Sequence, residues 1–494
     1  MCEAEQQLEK LAPHLQEGFR QAGPRAATAI ATRLAESLWR EDIGDARRRF
    51  RGRVHAFERV VLAPVEADPL TLVGHAGLRE ELASAVTGLS LAYARRAFQE
   101  EEIRGSGFGD MFGLVSGLSP DAAGVPLEQL VTEGHNLHPC GRTRLGWDVR
   151  DMLEHDLETE GTHVRFLRVP REILIGDFDL LPVHEWQLGH LKRRHAGLFA
   201  DGTLRVLDEV WPARPTGALR TLLTQHGYLK LSLDIQVTST RRTISLAATR
   251  NGPVLSGWIG RLIDSERVLL MPEVAGGGCT LGDGREVSAI QRGGLDGRLD
   301  PGELAVPGSA LPGIDPLTGR TLLAGLVDRS SLGALGFVEA YGRLLLPVVL
   351  RLAAEHGIGL EAHLQNVVPT FVGGRPHRLG LRDFAGLRIM ADRAPRLWPG
   401  SVITTPDREV MLSKVAYTAF QAHLGEIVLR LTESHGLDED RAWEAVRNIV
   451  DEVLEGHPDH AFFTAPTLPH KALTRMRLVG AGDIYLPVRN PLHV

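Results

Sequence analysis

The amino-acid sequence predicts an α+β protein that is divided into several domains. Its 494 residues are too many for one compact core, so two or three domains are expected. Helical periodicity dominates residues 1–100, strand-like alternation dominates residues 130–325, and helical patterns return after residue 326. These changes predict three domains, at residues 1–128, 129–325 and 326–494.

The first part of the chain is predicted to be helical. Pro24 stands where a first helical turn would begin, ahead of the run ATAIATRLAESLWR. A second helix is predicted over residues 78–100, because Leu82, Val86 and Leu89 are near helical spacing. The glycine-rich residues 105–117 interrupt this pattern and predict a loop.

The middle part carries the strand signals RFLRV, EILIG, LPVHEWQL and TLRVLDEV. The clearest strand is LKLSLDIQV, in which Leu231, Leu233, Ile235 and Val237 point in one direction. This period of two predicts a sheet with one buried face. Residues 275–320 are rich in glycine and proline, which predicts long loops or a domain junction.

The last part begins with a predicted buried helix, whose apolar stripe runs from Phe337 to Leu352 and ends at Gly357. Strands are predicted over residues 360–371 and 377–389, joined by a Gly-Gly-Arg-Pro turn. Helices are predicted over residues 411–434 and 438–454. The longest apolar run, residues 344–350, is too short to span a bilayer.

Composition argues against several classes of protein. The net charge is −7 with no basic stripe, so a nucleic-acid partner is not expected. Cys2, Cys140 and Cys279 form no CxxC pair and no even framework, which argues against a zinc site or a disulfide scaffold. The N-terminal residues lack a signal-peptide core, so we expect a protein of the reducing cytoplasm without membrane segments.

The segment EAHLQN, residues 361–366, is the first candidate for chemistry. As a strand it would place Glu361, His363 and Gln365 on one face, and a hairpin would set Asp383 of RDFAG beside them. Carboxylate, imidazole, amide and guanidinium groups together suit a nucleotide phosphate with Mg²⁺. The alternative is a polar sheet face exposed to solvent.

Two further clusters carry hydroxyl and cationic groups. VTSTRRTIS, at a strand end, offers Thr240, Arg242 and Thr243 to a phosphate or carboxylate, or is an exposed polar turn. EGHNLHPCGRTRLGW is a basic loop suited to an anion. No third ligand accompanies its two histidines, so we do not expect zinc there, and Cys140 is interpreted as a bystander. This loop contributes the candidates His135, His138, Arg142 and Arg144.

The remaining signals are weaker. His184 and Gln187 of LPVHEWQ are candidates, and Lys471 lies in the cationic tail HKALTRMRL. No P-loop, no dinucleotide-binding glycine motif and no nucleophile elbow is present.

Taken together and in order, these motifs resemble the aerobactin-synthetase (IucA/IucC) family of siderophore synthetases that work without a nonribosomal assembly line. GHNLHPCGRTRLG matches the family's basic loop, with Arg142 where lysine is usual. HEWQ replaces HPWQ, with Glu185 where proline is usual. KLSLDIQVTSTRRT, EAHLQN, RDFAG and KALTRMRL match the other motifs. The resemblance covers residues from about 130 to the end.

The resemblance implies a cupped-hand fold with a helical thumb, a sheet-containing fingers domain and a mixed palm. It also implies a ligase that uses ATP and Mg²⁺ to adenylate a carboxylate, which an amine or hydroxyl group then attacks. Citrate, a citrate monoamide, 2-oxoglutarate and a succinylated hydroxamate amine all remain open as substrates, and a homodimer is expected. The ATP site implied by the family comprises His138, Arg142, Arg144, Thr240, Arg242, Thr243, His363, Gln365, Asn366 and Asp383.

Catalytic and metal-binding roles follow from the same resemblance. His363, Arg242 and Lys471 are the expected catalytic residues, and Asp383 with Glu361 are the expected metal ligands. Two alternatives remain. HLQN followed by RDFAG loosely resembles a kinase catalytic loop and metal-binding motif, although no kinase glycine loop precedes it. The other alternative is a non-catalytic protein that binds a citrate- or siderophore-like anion.

Overall fold

The computed structural model describes residues 2–480 and 482–493. Its α-helices, numbered in chain order, are α1 (Cys2–Leu11), α2 (Pro13–Arg40), α3 (Ala46–Arg49), α4 (Ala76–Arg104), α5 (Met111–Val115), α6 (Pro120–Gln129), α7 (Val149–His155), α8 (Glu185–Arg194), α9 (Ala196–Ala200), α10 (Leu246–Gly260), α11 (Leu322–Ser330), α12 (Gly333–His356), α13 (Arg408–Val415), α14 (Gly425–His435), α15 (Glu439–Val453), α16 (Asp459–Phe463) and α17 (Leu473–Val479).

The β-strands are β1 (Gly52–Val54), β2 (Val60–Leu62), β3 (Thr162–Arg168), β4 (Leu174–Gly176), β5 (Leu181–His184), β6 (Arg205–Pro215), β7 (Thr221–Thr224), β8 (Gly227–Leu231), β9 (Leu233–Val237), β10 (Thr240–Arg242), β11 (Val268–Leu270), β12 (Glu273–Cys279), β13 (Ser288–Arg292), β14 (Glu303–Ala305), β15 (Ile358–Gly359), β16 (Val367–Val372), β17 (Arg375–Leu381), β18 (Arg388–Met390), β19 (Thr404–Thr405), β20 (Thr467–Lys471) and β21 (Tyr485–Arg489).

Two sheets dominate the fold. The larger has eight antiparallel strands in the order β4-β12-β13-β8-β7-β6-β3-β5. The smaller has the order β11-β17-β16-β14, with β11 parallel to β17 and the other pairs antiparallel. Helices precede and follow the sheets along the chain, which confirms the α+β class. The exact domain limits stay a prediction.

The largest hydrophobic cluster lies in the C-terminal part of the chain, around α12. This helix buries Phe337, Tyr341 and Leu345 along one side, as its apolar stripe predicts. By length and composition α12 is apolar enough to cross a membrane. It is packed inside the protein against α15 and β17, and that packing accounts for its apolar character.

Most predicted helices are confirmed, but one start is wrong. Pro24 lies inside α2, which begins at Pro13, rather than at a helix N-terminus. The predicted helix over residues 411–434 is continuous from α13 through a π-helical segment, Ala416–Leu424, into α14. α15 follows, with Asp438 as its N-cap.

Two predicted strands are shorter than their sequence patterns. LKLSLDIQV divides at Ser232 into β8, which belongs to the eight-stranded sheet, and β9, which pairs with β10. The Ser232 hydroxyl donates to the carbonyl of Arg285 and accepts from the amide of Ile244, so this residue joins neighbouring segments. LPVHEWQL is a strand only to His184, after which α8 begins.

The predicted hairpin is confirmed, but the strand through EAHLQN is wrong. Val372 pairs with Arg375 across the turn Gly373-Gly374. Residues 361–366 instead form a loop that ends in one 3₁₀ turn, and β16 begins only at Val367. Glu361, His363 and Gln365 therefore do not form one face of a strand.

Candidate functional site

The EAHLQN loop, residues 361–366, is held in place by side chains that bind its backbone carbonyls. Thr418 donates to the carbonyl of Leu360, at 3.3 Å. Asn366 donates from Nδ2 to the carbonyl of Glu361, at 3.1 Å, and His423 contacts the carbonyl of Ala362, at 2.9 Å. Because side chains take these carbonyls, the loop does not pair as a strand, and its own Glu361 and His363 remain partly exposed.

His423 lies in the π-helical segment, a type of distortion that is common at functional sites. Its Nδ1 lies 2.9 Å from the carbonyl of Ala362, and its Nε2 lies 2.8 Å from the hydroxyl of Tyr341. A neutral ring satisfies both contacts, with Nδ1 donating and Nε2 accepting. Burial lowers the pKa of His423 to about 4, which keeps the ring neutral near pH 7.

Glu361 is paired with a lysine from α13. The Lys414 ammonium donates to Glu361 Oε1 at 3.0 Å, and His363 Nε2 lies 3.9 Å from the other carboxylate oxygen. Burial opposes ionisation, but Lys414 and His363 together lower the pKa of Glu361. A Cβ atom at Gly386 would lie 1.8 Å from Glu361 Oε2, so glycine ends the RDFAG motif for a steric reason.

Asp383 occupies a left-handed backbone conformation, with φ of +64°, directly after the end of β17. Its Oδ1 accepts from the Lys230 ammonium at 2.6 Å. Burial opposes ionisation, but Lys230 and Arg220 hold the pKa of Asp383 far below its usual range. The preceding Arg382 is buried and bound to Glu128 of α6, which anchors the motif.

Arg242 reaches the same place from the other side, at the end of β10. Its Nη2 donates to the carbonyl of Val237 and to the hydroxyl of Thr238, at 3.1 and 3.0 Å. Burial and the neighbouring Arg220 lower its pKa to about 9, whereas the charges of Asp383 and Glu361 raise it. Arg242 is therefore close enough to both predicted metal ligands for their charges to act on it. Thr240 is exposed and Thr243 is half-buried beside it.

The two histidines of the basic loop differ in accessibility. His138 is buried, with Nε2 at 2.7 Å from the Ser239 hydroxyl and Nδ1 accepting from the amide of Cys140. Burial lowers its pKa to about 3. His135 presents an exposed edge, yet surrounding protein and the neighbouring His138, His363 and Arg242 lower its pKa well below the ordinary value.

The arginines of the basic loop are bound to internal carboxylates. Arg144 donates from Nε and Nη2 to the two oxygens of Asp156, both at 2.9 Å. Arg142 is bound to Glu158, to Asp156 and to the carbonyl of Thr132. Both arginines are almost wholly buried. We expected these two arginines to be open to an anion. The structure differs, because their donors already have partners inside the protein.

Lys471 lies at the end of β20 and forms an ion pair with Asp483, at 2.7 Å. Asp483 also lies 3.5 Å from Arg388, and the charges of Lys471, Lys414 and Arg388 together lower its pKa. Burial also raises the pKa of Tyr485, which is partly exposed between Asp483 and Glu361. Lys471 thus reaches this site through Asp483.

The candidates of the HEWQ motif have internal roles. Gln187 is fully buried and joins two segments, since Nε2 donates to the carbonyl of Glu286 and Oε1 accepts from the amide of Asp234. His184 is buried, accepts from the amide of Trp186 and has its pKa lowered to about 3 by burial. Glu185 pairs with His163 at 2.7 Å on the outer side.

Comparison with known proteins adds an independent finding. The family model described as "IucA / IucC family" matches residues 124–179 and 174–313, and a model described as "Ferric iron reductase FhuF-like transporter" matches residues 336–486. A D-ornithine–citrate ligase of Staphylococcus aureus is 24% identical over an alignment 524 positions long. The alignment covers 87% of this chain and 78% of that protein. The chain is thus similar to the IucA/IucC family over residues 124–313.

Solved structures confirm the fold of this chain. The petrobactin biosynthesis protein AsbB of Bacillus anthracis matches with a TM-score of 0.82 and 18% identity, over 97% of this chain and 98% of that one. The ATP-bound aerobactin synthetase IucA from a hypervirulent pathotype of Klebsiella pneumoniae matches with a TM-score of 0.74 and 18% identity, over 94% and 99%. Both matches include the segment that the second family model covers.

Sequence reasoning missed several charged and polar groups that lie around the candidate site. Lys230 belongs to the quoted KLSL motif, but its partner Asp383 lies 153 residues away. Lys414 and His423 lie in helices whose patterns predict only burial. The role of each residue could not be predicted, because its partner lies in a distant segment of the chain and local spacing does not indicate such contacts.

A separate cavity of about 890 Å³ contains none of the predicted site residues. It lies between α4, the start of β3 and the ends of β6 and β7, and its lining includes Arg95, Phe98, Glu158 and Arg214. The volume of this cavity therefore does not indicate the candidate site, because Glu361, His363 and Asp383 lie elsewhere in the molecule.

Proposed function

We propose that this protein is an ATP-dependent ligase that activates a carboxylate of the citrate class and joins it to an amine or hydroxyl group in siderophore biosynthesis. The observation that carries the proposal is a partly exposed charged site. There Glu361 lies 3.9 Å from His363 and pairs with Lys414, and Asp383 pairs with Lys230. The charges of both carboxylates act on Arg242. The citrate ligase among the relatives supports the substrate class, and the ATP-bound synthetase supports the nucleotide.

The nucleotide would be bound by groups from both sides of this site. Arg242 would contact phosphate oxygens as a forked donor, with the hydroxyls of Thr240 and Thr243 beside it. Gln365 and Asn366 would contribute amides from the EAHLQN loop. His138 would act through Ser239, and Arg142 and Arg144 would support the loop rather than touch the phosphates, because their donors are bound to Asp156 and Glu158.

The donor set suits a magnesium ion. Within the described residues, each carboxylate has one oxygen bound to a lysine and one without a hydrogen bond, Oδ2 of Asp383 and Oε2 of Glu361. Carboxylate oxygens are the ligands that Mg²⁺ prefers in proteins. When bound, the ion would neutralise phosphate charge during the reaction.

Adenylation would proceed by attack of a substrate carboxylate oxygen on the α-phosphorus of ATP. The bond from the α-phosphorus to the bridging oxygen breaks, and pyrophosphate leaves with its electron pair. Arg242 would stabilise the negative charge that builds up on the phosphate oxygens, and Lys471 would orient the substrate carboxylate. No covalent bond to the protein is needed.

In the second step the nucleophile would attack the acyl carbon and expel AMP. Burial lowers the pKa of His363, although Glu361 opposes that shift, so the ring is neutral near pH 7. A neutral imidazole can accept the proton that the attacking amine or hydroxyl group loses. Glu361, 3.9 Å from His363 Nε2, would stabilise the resulting imidazolium.

The reaction products test the proposal. Purified protein would be incubated with ATP, Mg²⁺ and a panel of carboxylates, with and without amines, and the nucleotide products separated. We expect AMP and pyrophosphate in equal amounts, formed only with a carboxylate present. Asp383→Asn should abolish product formation, which assigns the activity to this site rather than to a contaminant.

The alternatives give different products. A kinase-like phosphotransferase would release ADP and a phosphorylated acceptor, and either would refute the proposal. A non-catalytic anion-binding protein would bind citrate or a related anion and leave ATP intact. Pyrophosphate release without any amide or ester product would support adenylation but refute ligation. The homodimer and the cytoplasmic location expected from the sequence stay predictions, and light scattering would test the first.

A further inference from the structure

A buried charged cluster lies directly behind Asp383. Its members are Lys230, Glu273 and Arg292, which are 3%, 2% and 5% exposed. They sit on the eight-stranded sheet, on β8, β12 and β13, whereas Asp383 follows β17 of the smaller sheet. The Lys230 ammonium therefore connects the two sheets at the back of the candidate site.

The strand register places these groups on one face. Glu273 is opposite Arg292 across β12 and β13, and Arg292 is opposite Tyr228 across β13 and β8. Lys230 lies two residues beyond Tyr228 on β8 and so points to the same side. The Arg292 guanidinium covers the Tyr228 ring at 4.6 Å, and its charge also acts on Asp383.

Glu273 is buried without a hydrogen bond within the described residues, and burial raises its pKa, which the charges of Lys230 and Arg292 oppose. Both of its carboxylate oxygens are buried and make no hydrogen bond among the described residues. The Lys230 ammonium is 3.8 Å from Glu273 Oε1, too far for a hydrogen bond, and only 2.6 Å from Asp383 Oδ1. Burying a carboxylate without hydrogen bonds costs free energy of folding. Stability therefore does not explain the presence of a glutamate at position 273.

We propose that Lys230 exchanges partners between two carboxylates, pairing with Asp383 in the empty protein and with Glu273 when Asp383 takes a divalent cation with the nucleotide. This inference rests on the proposed function, because it needs Asp383 to act as a metal ligand. Glu273 and Lys230 are then positioning residues, which act on the cation only through Asp383.

Charge balance explains why the exchange needs Glu273. A cation bound to Asp383 removes the negative charge that Lys230 faces, and leaves a buried ammonium next to a second positive charge. Glu273 lies close enough that a small rotation of the flexible lysine side chain brings the two within hydrogen-bond distance. The exchange moves no proton and breaks no covalent bond.

Calorimetric titration of ATP into three proteins tests the exchange, once with Mg²⁺ and once with EDTA. Glu273→Gln should weaken binding of the Mg²⁺–ATP complex about tenfold. Removing a residue that positions a metal ligand typically lowers affinity by at least about this factor. Binding of ATP in EDTA should not change. The double variant Lys230→Met with Glu273→Gln should recover most of the lost affinity, because it removes both charges together.

Thermal unfolding of the empty proteins separates this role from a structural one. Glu273→Gln should unfold no earlier than the natural protein, because Lys230 stays paired with Asp383 and a buried carboxylate is removed. Equal losses of affinity in the single and double variants, or unchanged affinity in Glu273→Gln, would refute the exchange alone. Failure of the unaltered protein to bind ATP with Mg²⁺ would refute the proposed function and the exchange with it.

Discussion

The basic loop and the EAHLQN loop carry the same kinds of residue, yet the structure uses them differently. In the basic loop, Arg142 and Arg144 are buried and their donors are taken by Asp156 and Glu158. In the EAHLQN loop, Glu361 and His363 remain about one quarter exposed, and Glu361 keeps a carboxylate oxygen free of hydrogen bonds within the described residues. One loop holds its charges internally, whereas the other can offer them to a ligand.

This difference shows that a charged motif can be built for stability or for chemistry, and that only the partners decide which. A buried arginine pair bound on all sides fixes the path of the chain. A half-buried carboxylate whose pKa is lowered by Lys414 stays ionised and ready for a cation. In the basic loop, only His135 among the two histidines and two arginines is exposed, whereas His138 is buried.

Removal of Arg144 should have the largest effect on stability. Arg144→Met leaves the buried Asp156 with Arg142, at 3.4 Å, as its remaining ion-pair partner among the described residues. Breaking a buried pair in this way typically lowers the free energy of unfolding by about 3–5 kcal/mol. Urea unfolding would measure the loss. The fraction that stays folded should bind ATP normally. A large loss of ATP affinity without a loss of stability would mean that Arg144 contributes to ligand binding rather than to folding.

Removal of Arg242 should have the largest effect on activity without a matching loss of stability. Arg242→Ala is expected to lower kcat/KM for adenylation about 100- to 1,000-fold, the usual cost of losing one donor that stabilises transition-state charge. Pyrophosphate release would measure it. Arg241→Ala is the matched control, since Arg241 is exposed and pairs with Asp234, and its kinetics should stay close to normal.

His423 should affect the site only by positioning the EAHLQN loop. His423→Phe removes the donor to the Ala362 carbonyl and should weaken ATP binding about tenfold, as loss of an orienting partner typically does. Tyr341→Phe removes the hydrogen bond at the other ring nitrogen and leaves the Ala362 contact. That control should lose about 1 kcal/mol of stability with normal ATP affinity. Equal affinities in the two variants would contradict the positioning role.

Acid should weaken both regions through buried histidines. Burial lowers the pKa of His423, behind the EAHLQN loop, and of His155, one residue before Asp156, to about 4 in each case. Between pH 6.5 and pH 4 the unfolded chain therefore binds protons that the folded protein does not. Each histidine should lower the free energy of unfolding by at most about 1.4 kcal/mol per pH unit across that range as the pH falls.

Urea unfolding at pH 7 and pH 5 would measure this effect. His155→Gln and His423→Gln should each show a smaller decrease between the two pH values than the natural protein. An unchanged pH dependence in both variants would mean that other groups control acid stability.

Much of the fold could be predicted because it depends on local periodicity. The apolar stripe of α12, the hairpin around Gly373 and the helix predicted over residues 438–454 follow from spacing and turn chemistry. The strand through EAHLQN was predicted wrongly because its carbonyls are bound by Thr418, Asn366 and His423 rather than by a neighbouring strand. Two of these three partners lie in a helical segment more than fifty residues away along the chain.

The sequence by itself determined the α+β class, the order of the motifs and the resemblance to the IucA/IucC family, because those follow from local patterns and residue identity. Tertiary structure alone decided which charges are free. Arg142 and Arg382 form ion pairs with buried carboxylates. Arg242 forms no such pair among the described residues, although the charges of two carboxylates act on it. The physical reason is that the availability of a charge depends on what surrounds it, and Lys230 meets Asp383 only when two sheets pack together.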